Sequence, residues 1–285
     1  MHEISSPLRY PGGKAVLTQY LAELIKTNKL HDSTYIEPYA GGAGAALNLL
    51  YKEYVPRIVI NDADPMIYAF WHSVLNETED ICKKIMNVKL SMNAWDKKQK
   101  IIRDIKNHSQ LELGFAAFYL NRTNRSGIIS GGPIGGRLQK GKWKLDARFN
   151  RKALIDRIQK IAYYKDRIEI SNLDAIKLMS KRKKEKKNKL FFFLDPPYYN
   201  KGSDLYMNYY KPNDHQKLSE HLSNQSNEDW VLTYDNVEEI SKLYKQRRSM
   251  YYDINYSAGN VRKGDEIIIF SDSITIPKSK ILLSK

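Results

Sequence analysis

Between Lys14 and Asn28 the apolar residues Leu17, Tyr20, Leu21, Leu24 and Ile25 recur every three or four positions, which predicts a helix with one inward face. The segment from Thr34 to Pro38 then reads as a short strand. A glycine-rich turn and the apolar stretch Ala43 to Tyr51 follow, giving strand, turn and helix in succession. Arg57 to Ile60 repeats the motif: a β-branched run ends at Asn61 and Asp62 and leads into a helix-like stretch from Pro65 to Leu75. Alternation of this kind predicts a parallel sheet covered by helices.

The rhythm breaks from Asn76 to about Asp146, where helical segments lead into Asn121 to Lys144, a stretch rich in Gly, Arg and Lys. This reads as an insertion. Strands resume at Arg167 to Ile170, Leu190 to Leu194, Trp230 to Thr233, Met250 to Asn255 and Glu266 to Phe270, about seven in all. Phe191, Phe192, Phe193 and Leu194 form an unbroken apolar run, as expected of a central parallel strand buried on both faces. No internal repeat is evident.

Chemistry gathers where strands end. Asp195, Pro196, Pro197 and Tyr198 follow the apolar run directly, so a carboxylate and an aromatic ring emerge at a strand's carboxyl end, where open α/β sheets bind ligands. Two prolines stop sheet pairing and leave the Pro196 carbonyl as a second rigid acceptor beside Asp195. Such a pair can hold both hydrogens of an exocyclic amine and aim its lone pair at an electrophile. Taken alone, the tetrapeptide is also compatible with a stiff turn. It does not stand alone, because Glu37, Pro38, Tyr39, Ala40, Gly41, Gly42, Ala43 and Gly44 close one strand and open a helix, where backbone approaches a cofactor closely. Asp62 ends the next strand about 20 residues on, a spacing that suits an acceptor for ribose hydroxyls. Leu47 stands where a dinucleotide fingerprint wants its third Gly or Ala, which argues against NAD or FAD. Tyr10, Pro11, Gly12, Gly13 and Lys14 are no phosphate loop either, with Leu8 and Ala15 at positions that need Gly and Ser or Thr.

Composition narrows the partner. The 285 residues carry 47 Lys and Arg against 32 Asp and Glu, a formal charge of +15 that favours a polyanion such as nucleic acid, although surplus lysine can simply solubilise a surface. Cys82 is the single cysteine, so no internal disulfide or thiolate cluster can form, and the six histidines show no ligand spacing; no metal is expected. No apolar run approaches the roughly 20 residues of a membrane span, and the stretch from Met1 to Ala15 lacks the apolar core of a secretory signal, which predicts a cytoplasmic protein.

Together these motifs resemble the DNA adenine N6-methyltransferases of the Dam-like (D12 class) family over nearly the whole chain. The family's early Trp/Tyr-x-Gly-Gly-Lys segment is matched by Tyr10 to Lys14, its Glu-Pro-Phe/Tyr glycine segment by Glu37 to Gly44, and its catalytic tetrapeptide by Asp195 to Tyr198. The resemblance implies a class I, Rossmann-like fold with a seven-stranded, mostly parallel sheet. Residues 1–75 and 147–285 would form the catalytic domain and 76–146 an inserted helical and hairpin target-recognition subdomain. It also implies S-adenosyl-L-methionine as cofactor, contacted by Tyr10, Gly12, Gly13, Lys14, Glu37, Pro38, Tyr39, Gly41, Gly42, Asp62, Asp174 and Asp195, and Asp195, Pro196, Pro197 and Tyr198 as the catalytic set. Adenine inside a duplex cannot reach a bound methyl donor, so the target base is expected to flip out, with Tyr198 stacking on it.

Double-stranded DNA is the expected partner, with Asn121, Arg122, Arg125, Arg137, Arg262 and Lys263 as its candidate contacts. Arginines can bond guanine edges or phosphates and nearby glycines allow close groove approach, although a basic solvated hairpin without base contacts fits the same residues. Ile128 to Arg137 departs from the family's GATC-reading pattern, so no recognition sequence is assigned. A cognate restriction or defence system is a candidate partner. The basic run Lys181 to Lys189 leads into the amino end of a strand, away from the expected cleft, and reads as a solvated surface. Tyr206, Tyr209 and Tyr210 could stack on bases or pack in the core. Cytosine N4, adenine in RNA, and a DNA-binding protein with a degenerate methyltransferase fold stay open as alternatives.

Overall fold

The strand β4 (Leu190–Leu194) shows how the sheet is buried: Phe191 and Phe193 join the core on one face, Phe192 and Leu194 the core on the other. Period-two alternation of an all-apolar run therefore fills two layers at once. The computed structural model describes residues 5–10, 13–185, 189–199, 210–224, 228–256 and 262–278, of which 185, 253–256 and 262–265 through their backbone alone.

Seven strands form one sheet in the order β3-β2-β1-β4-β5-β7-β6. Strands β1 (Thr34–Glu37), β2 (Arg57–Asn61), β3 (Ile168–Ser171), β4 and β5 (Asp229–Asp235) run parallel, with Ile36 opposite both Val59 and Phe192. β7 (Arg262–Phe270) enters antiparallel between β5 and the edge strand β6 (Arg248–Tyr256). The mostly parallel class I arrangement expected from the sequence is thus the arrangement observed. β7 begins at Arg262, four residues before the apolar signal at Glu266, because hairpin pairing with β6 extends the ladder beyond the buried part. Arg262 and Lys263 consequently lie within the strand, opposite Tyr256 and Asn255, rather than in a segment preceding it.

One face is covered by α1 (Thr18–Thr27), α2 (Gly44–Tyr51) and α3 (Pro65–Asn76), the other by α8 (Ala175–Glu185), α9 (Pro212–Ser223) and α10 (Glu238–Leu243). The stretch from Lys14 to Leu17 is a 3-10 turn leading into α1. Asp64 starts α3 by accepting from the Met66 amide at 2.8 Å, with Pro65 in the first turn where its missing N–H costs nothing.

Between β2 and β3 the chain inserts α4 (Thr78–Asn87), α5 (Met92–Arg103), α6 (Gln110–Thr123) and α7 (Arg151–Tyr163). Their side chains Ile81, Ile85, Trp95, Phe115, Phe118 and Ile158 join the same core as α3. A Cβ on Gly114 would lie 2.4 Å from the Ala69 carbonyl, so glycine is what lets α6 lie directly on α3. Among the described residues no helix is long and apolar enough to cross a membrane.

Candidate active site

The chain leaves β1 for β2 and β3 on one side and returns on β1's other side as β4 and β5. That reversal opens a crevice at the carboxyl ends of β1 and β4, the place where sheets of this kind take ligands. The two strongest sequence motifs therefore meet: Glu37 ends β1 and Asp195 follows β4, while Asp62 follows β2.

The glycine loop is held from beneath. Asp62 accepts from the amides of Gly41 and Asp64, both at 2.9 Å. Asn61, fully buried, donates to the carbonyls of Pro38 and Leu173 at 2.8 and 2.9 Å and accepts from the Leu173 amide, tying the ends of β1, β2 and β3 together. Trp71 donates its indole N–H to the Gly41 carbonyl at 3.0 Å. Gly41 has φ +46°, and a Cβ there would come within 2.6 Å of the Tyr10 ring, so this position needs glycine on two counts. Burial, then the neighbouring Asp64, pushes the Asp62 carboxyl up to about 7. Glu37 faces inward at 5% exposure, accepting from the Tyr35 hydroxyl at 3.1 Å and the Ala46 amide of α2 at 3.0 Å; burial pushes it up to about 8. It braces the loop from below. Tyr39 shares a 2.7 Å hydroxyl contact with Tyr210, and Asp174 caps α8 by accepting from the Lys177 amide at 3.1 Å.

Asp195 stands at the crevice with 22% of its side chain exposed. Thr233 of β5 donates to its Oδ1 at 2.7 Å, and Lys14 Nζ lies 3.0 Å from the same oxygen. Lys14 also donates to the Tyr198 hydroxyl at 2.7 Å and lies 3.5 Å from Glu266, while Tyr198 and Tyr252 both donate to the Glu266 carboxylate. Burial alone would depress Lys14, but Asp195, Glu266 and Tyr252 outweigh it and hold the ammonium well above the ordinary lysine range. Asp195 is raised above the ordinary carboxylate range by burial; Lys14 pulls it back and Glu266 pushes it further up. The result is a carboxylate oxygen, open to the crevice and stiffly mounted, able to accept a hydrogen bond from a ligand amine.

Of the residues singled out from sequence, Tyr10, Gly13, Lys14, Glu37, Pro38, Tyr39, Gly41, Gly42, Asp62, Asp174 and Asp195 to Tyr198 converge on this edge of the sheet, although Lys14 engages Asp195 and Tyr198 directly. Gly12, Tyr206 and Tyr209 lie outside the described residues. The sequence did not single out Asn61 as a brace, nor Glu266 or Tyr252 as part of the site. A glutamate heading the apolar run Ile267–Phe270 was the one available signal for Glu266.

The candidate DNA contacts divide. Asn121 is 1% exposed, with its amide spent on the Arg9 backbone and the Gly127 carbonyl at 2.7 Å each, so it shapes the loop from inside and presents no edge outward. Arg122 is half-buried, donating to the carbonyls of Arg148 and Pro7; burial and the nearby Arg9, Arg157 and Arg148 push it down to about 9. Arg125 and Arg137 face solvent, the latter forked onto Asp96 at 3.0 and 3.1 Å and lying over the Trp95 ring.

A family model described as D12 class N6 adenine-specific DNA methyltransferase matches residues 10–257. No curated protein matches the chain. Among solved structures it is similar to a SAM-dependent methyltransferase from Agrobacterium tumefaciens, at 11% identity and a TM-score of 0.43, over 91% of this chain and 62% of that one. The chain thus spans less than two thirds of that neighbour's length.

Proposed function

The chain belongs to the D12 class of N6 adenine-specific DNA methyltransferases, and from that premise we propose that it flips an adenine out of duplex DNA and methylates N6 at Asp195 and Pro196. The observation that carries this reading is the mounting of Asp195: open to the crevice, fixed by Thr233 and Lys14, and neighboured by the ends of β1 and β2. S-adenosylmethionine supplies, when bound, an electrophilic methyl group on a sulfonium. The residues present suit its nucleoside part, because Asp62, an acceptor when ionised, follows β2 beside the glycine loop whose Gly41 amide it holds. Asp62 would take the ribose hydroxyls, Asp174 the adenine moiety, and the segments around Gly13 and Gly41 the remaining backbone contacts.

The Asp195 carboxylate and the Pro196 carbonyl each accept one hydrogen of the target amine. The amine's lone pair is thereby turned into the cleft, where the N6–methyl bond would form as the sulfonium–methyl bond breaks to leave a neutral thioether, and one amine proton would leave by way of Asp195 to solvent; positioning with electrostatics drives transfer, with no covalent enzyme intermediate. Tyr198 is 3% exposed, with its hydroxyl on Glu266 and the Lys14 ammonium over its ring, so it would meet the flipped base only if the cleft opened on binding; unstacking costs a few kcal/mol. Residues 76–146 serve as target-recognition subdomain, with the outward Arg125 and Arg137 meeting bases or phosphates.

Incubating the protein with isotopically labelled S-adenosylmethionine and duplex DNA, then digesting to nucleosides, should place the label on N6-methyldeoxyadenosine. Label on N4-methylcytosine, or on RNA in preference to DNA, would move the acceptor. Absence of transfer with intact DNA binding would favour a degenerate fold.

A further inference from the structure

The crevice accounts for Asp195 but not for a second carboxylate buried behind it. Glu266 has no solvent exposure, and a carboxylate so placed is costly unless surrounded by donors. It is so surrounded: Tyr198 from the loop after β4, Tyr252 from the edge strand β6, and Lys14 at 3.5 Å from the amino-terminal turn. Sheet register brings these together, with Glu266 opposite Asp235 on β5 and Tyr252 on β6. Lys14 therefore stands between two acids, 3.0 Å from the one that faces the crevice and 3.5 Å from the one that does not.

We propose that Glu266 is a positioning residue for the methyl-transfer site: its carboxylate, backed by Tyr252, holds Lys14 and the Tyr198 hydroxyl so that Asp195 stays a hydrogen-bond acceptor instead of being absorbed into a full ion pair with Lys14. This rests on the reading of Asp195 as the amine acceptor. Were Glu266 apolar, the ammonium would lose the acid at 3.5 Å, lean wholly on Asp195 of the two, and draw down the electron density that the substrate amine must share. With Glu266 present, one positive charge serves two acids. The other groups facing Asp195 do not substitute for it. Thr233, Tyr35 and Tyr234 contribute hydroxyls, and Glu37, raised by burial to about 8, carries a proton at neutral pH.

The test compares kcat, KM and the pH profile of kcat for the wild type, Glu266→Gln and Glu266→Asp, with folding monitored by thermal melting. Glu266→Gln keeps the size and removes the charge. It should lower kcat at least about tenfold and change KM less than about threefold, the loss expected for one hydrogen bond to a charged group acting in the transition state. Glu266 holds Asp195's proton affinity up, so its neutralisation should also move the acidic limb of the kcat profile to lower pH, a shift that loosened packing alone would not produce. Glu266→Asp keeps the charge and should leave the limb in place while kcat falls several-fold. Wild-type kcat with an unmoved limb in Glu266→Gln overturns the inference. If that variant does not fold, wild-type kcat in Glu266→Asp overturns it instead. A wild type that methylates no adenine defeats the underlying reading, an outcome distinct from either.

Discussion

The carboxyl edge of the sheet and the outer surface of the 124–150 segment are both dense in charge, yet they use it in opposite ways. At the edge, Lys14 and Glu266 are buried and Asp195 is half-buried; each has named partners within one network. On the insert, Arg125, Arg137, Lys140, Lys142 and Lys144 are exposed, and Arg137 is held by one solvent-facing pair with Asp96. Buried charges hold a single geometry because any other leaves one unpaired. Exposed ones are nearly interchangeable and act through summed field and local contact with a polyanion.

That contrast breaks most sharply at Lys14. Lys14→Met leaves Asp195 and Glu266 facing each other without their cation and should cost about 3–5 kcal/mol in urea unfolding, against less than about 0.5 kcal/mol for Arg137→Ala. Similar losses in the two variants would erase the distinction. Asp62→Asn should weaken S-adenosylmethionine binding by about 10- to 100-fold in titration calorimetry, consistent with about 1.5–3 kcal/mol for hydrogen bonds to a charged acceptor, and leave DNA affinity unchanged. The ionised carboxylate is the better acceptor and burial pushes Asp62 up to about 7, so wild-type affinity should rise as pH increases through 7, and the variant should lose that dependence.

Smaller effects sharpen the picture. Glu37, raised to about 8, binds a proton in the folded state that the unfolded chain releases near the ordinary carboxylate range. Its burial therefore lowers stability progressively as pH rises from about 4.5 to about 8. Glu37→Gln keeps the acceptor for the Ala46 amide and removes the titration, so its melting temperature relative to wild type should climb between pH 5 and pH 8.5. A constant difference would place the titration elsewhere. Arg125→Ala should weaken DNA binding only a few-fold and reduce the slope of log affinity against log salt by about one, without altering cofactor affinity.

What the sequence could disclose follows the same divide. Strand ends with their motifs were legible, because short, continuously buried apolar runs mark β1, β2 and β4 and the candidate residues sit immediately after them. Asp195, Asp62 and Gly41 could be named on spacing and chemistry alone. Glu266 and Tyr252 could not, since they reach the site only through the antiparallel register of β5, β7 and β6, which no local pattern encodes. Asn121 illustrates the converse: a polar residue among arginines looks like a surface contact, but its amide satisfies buried backbone groups of Arg9 and Gly127. Helix periodicity does not say that this amide, in the last turn of α6, turns back onto backbone rather than out to solvent.

In the proposed mechanism Asp195, mounted at the mouth of β4, presents the acceptor for the target amine. Nucleoside mass spectrometry of DNA from cells lacking their own adenine methylation, expressing either the wild type or a folded Asp195→Ala variant, tests it most directly. N6-methyladenine is expected with the first and none with the second, while purified Asp195→Ala still binds S-adenosylmethionine and DNA. N6-methyladenine produced by the variant would contradict it.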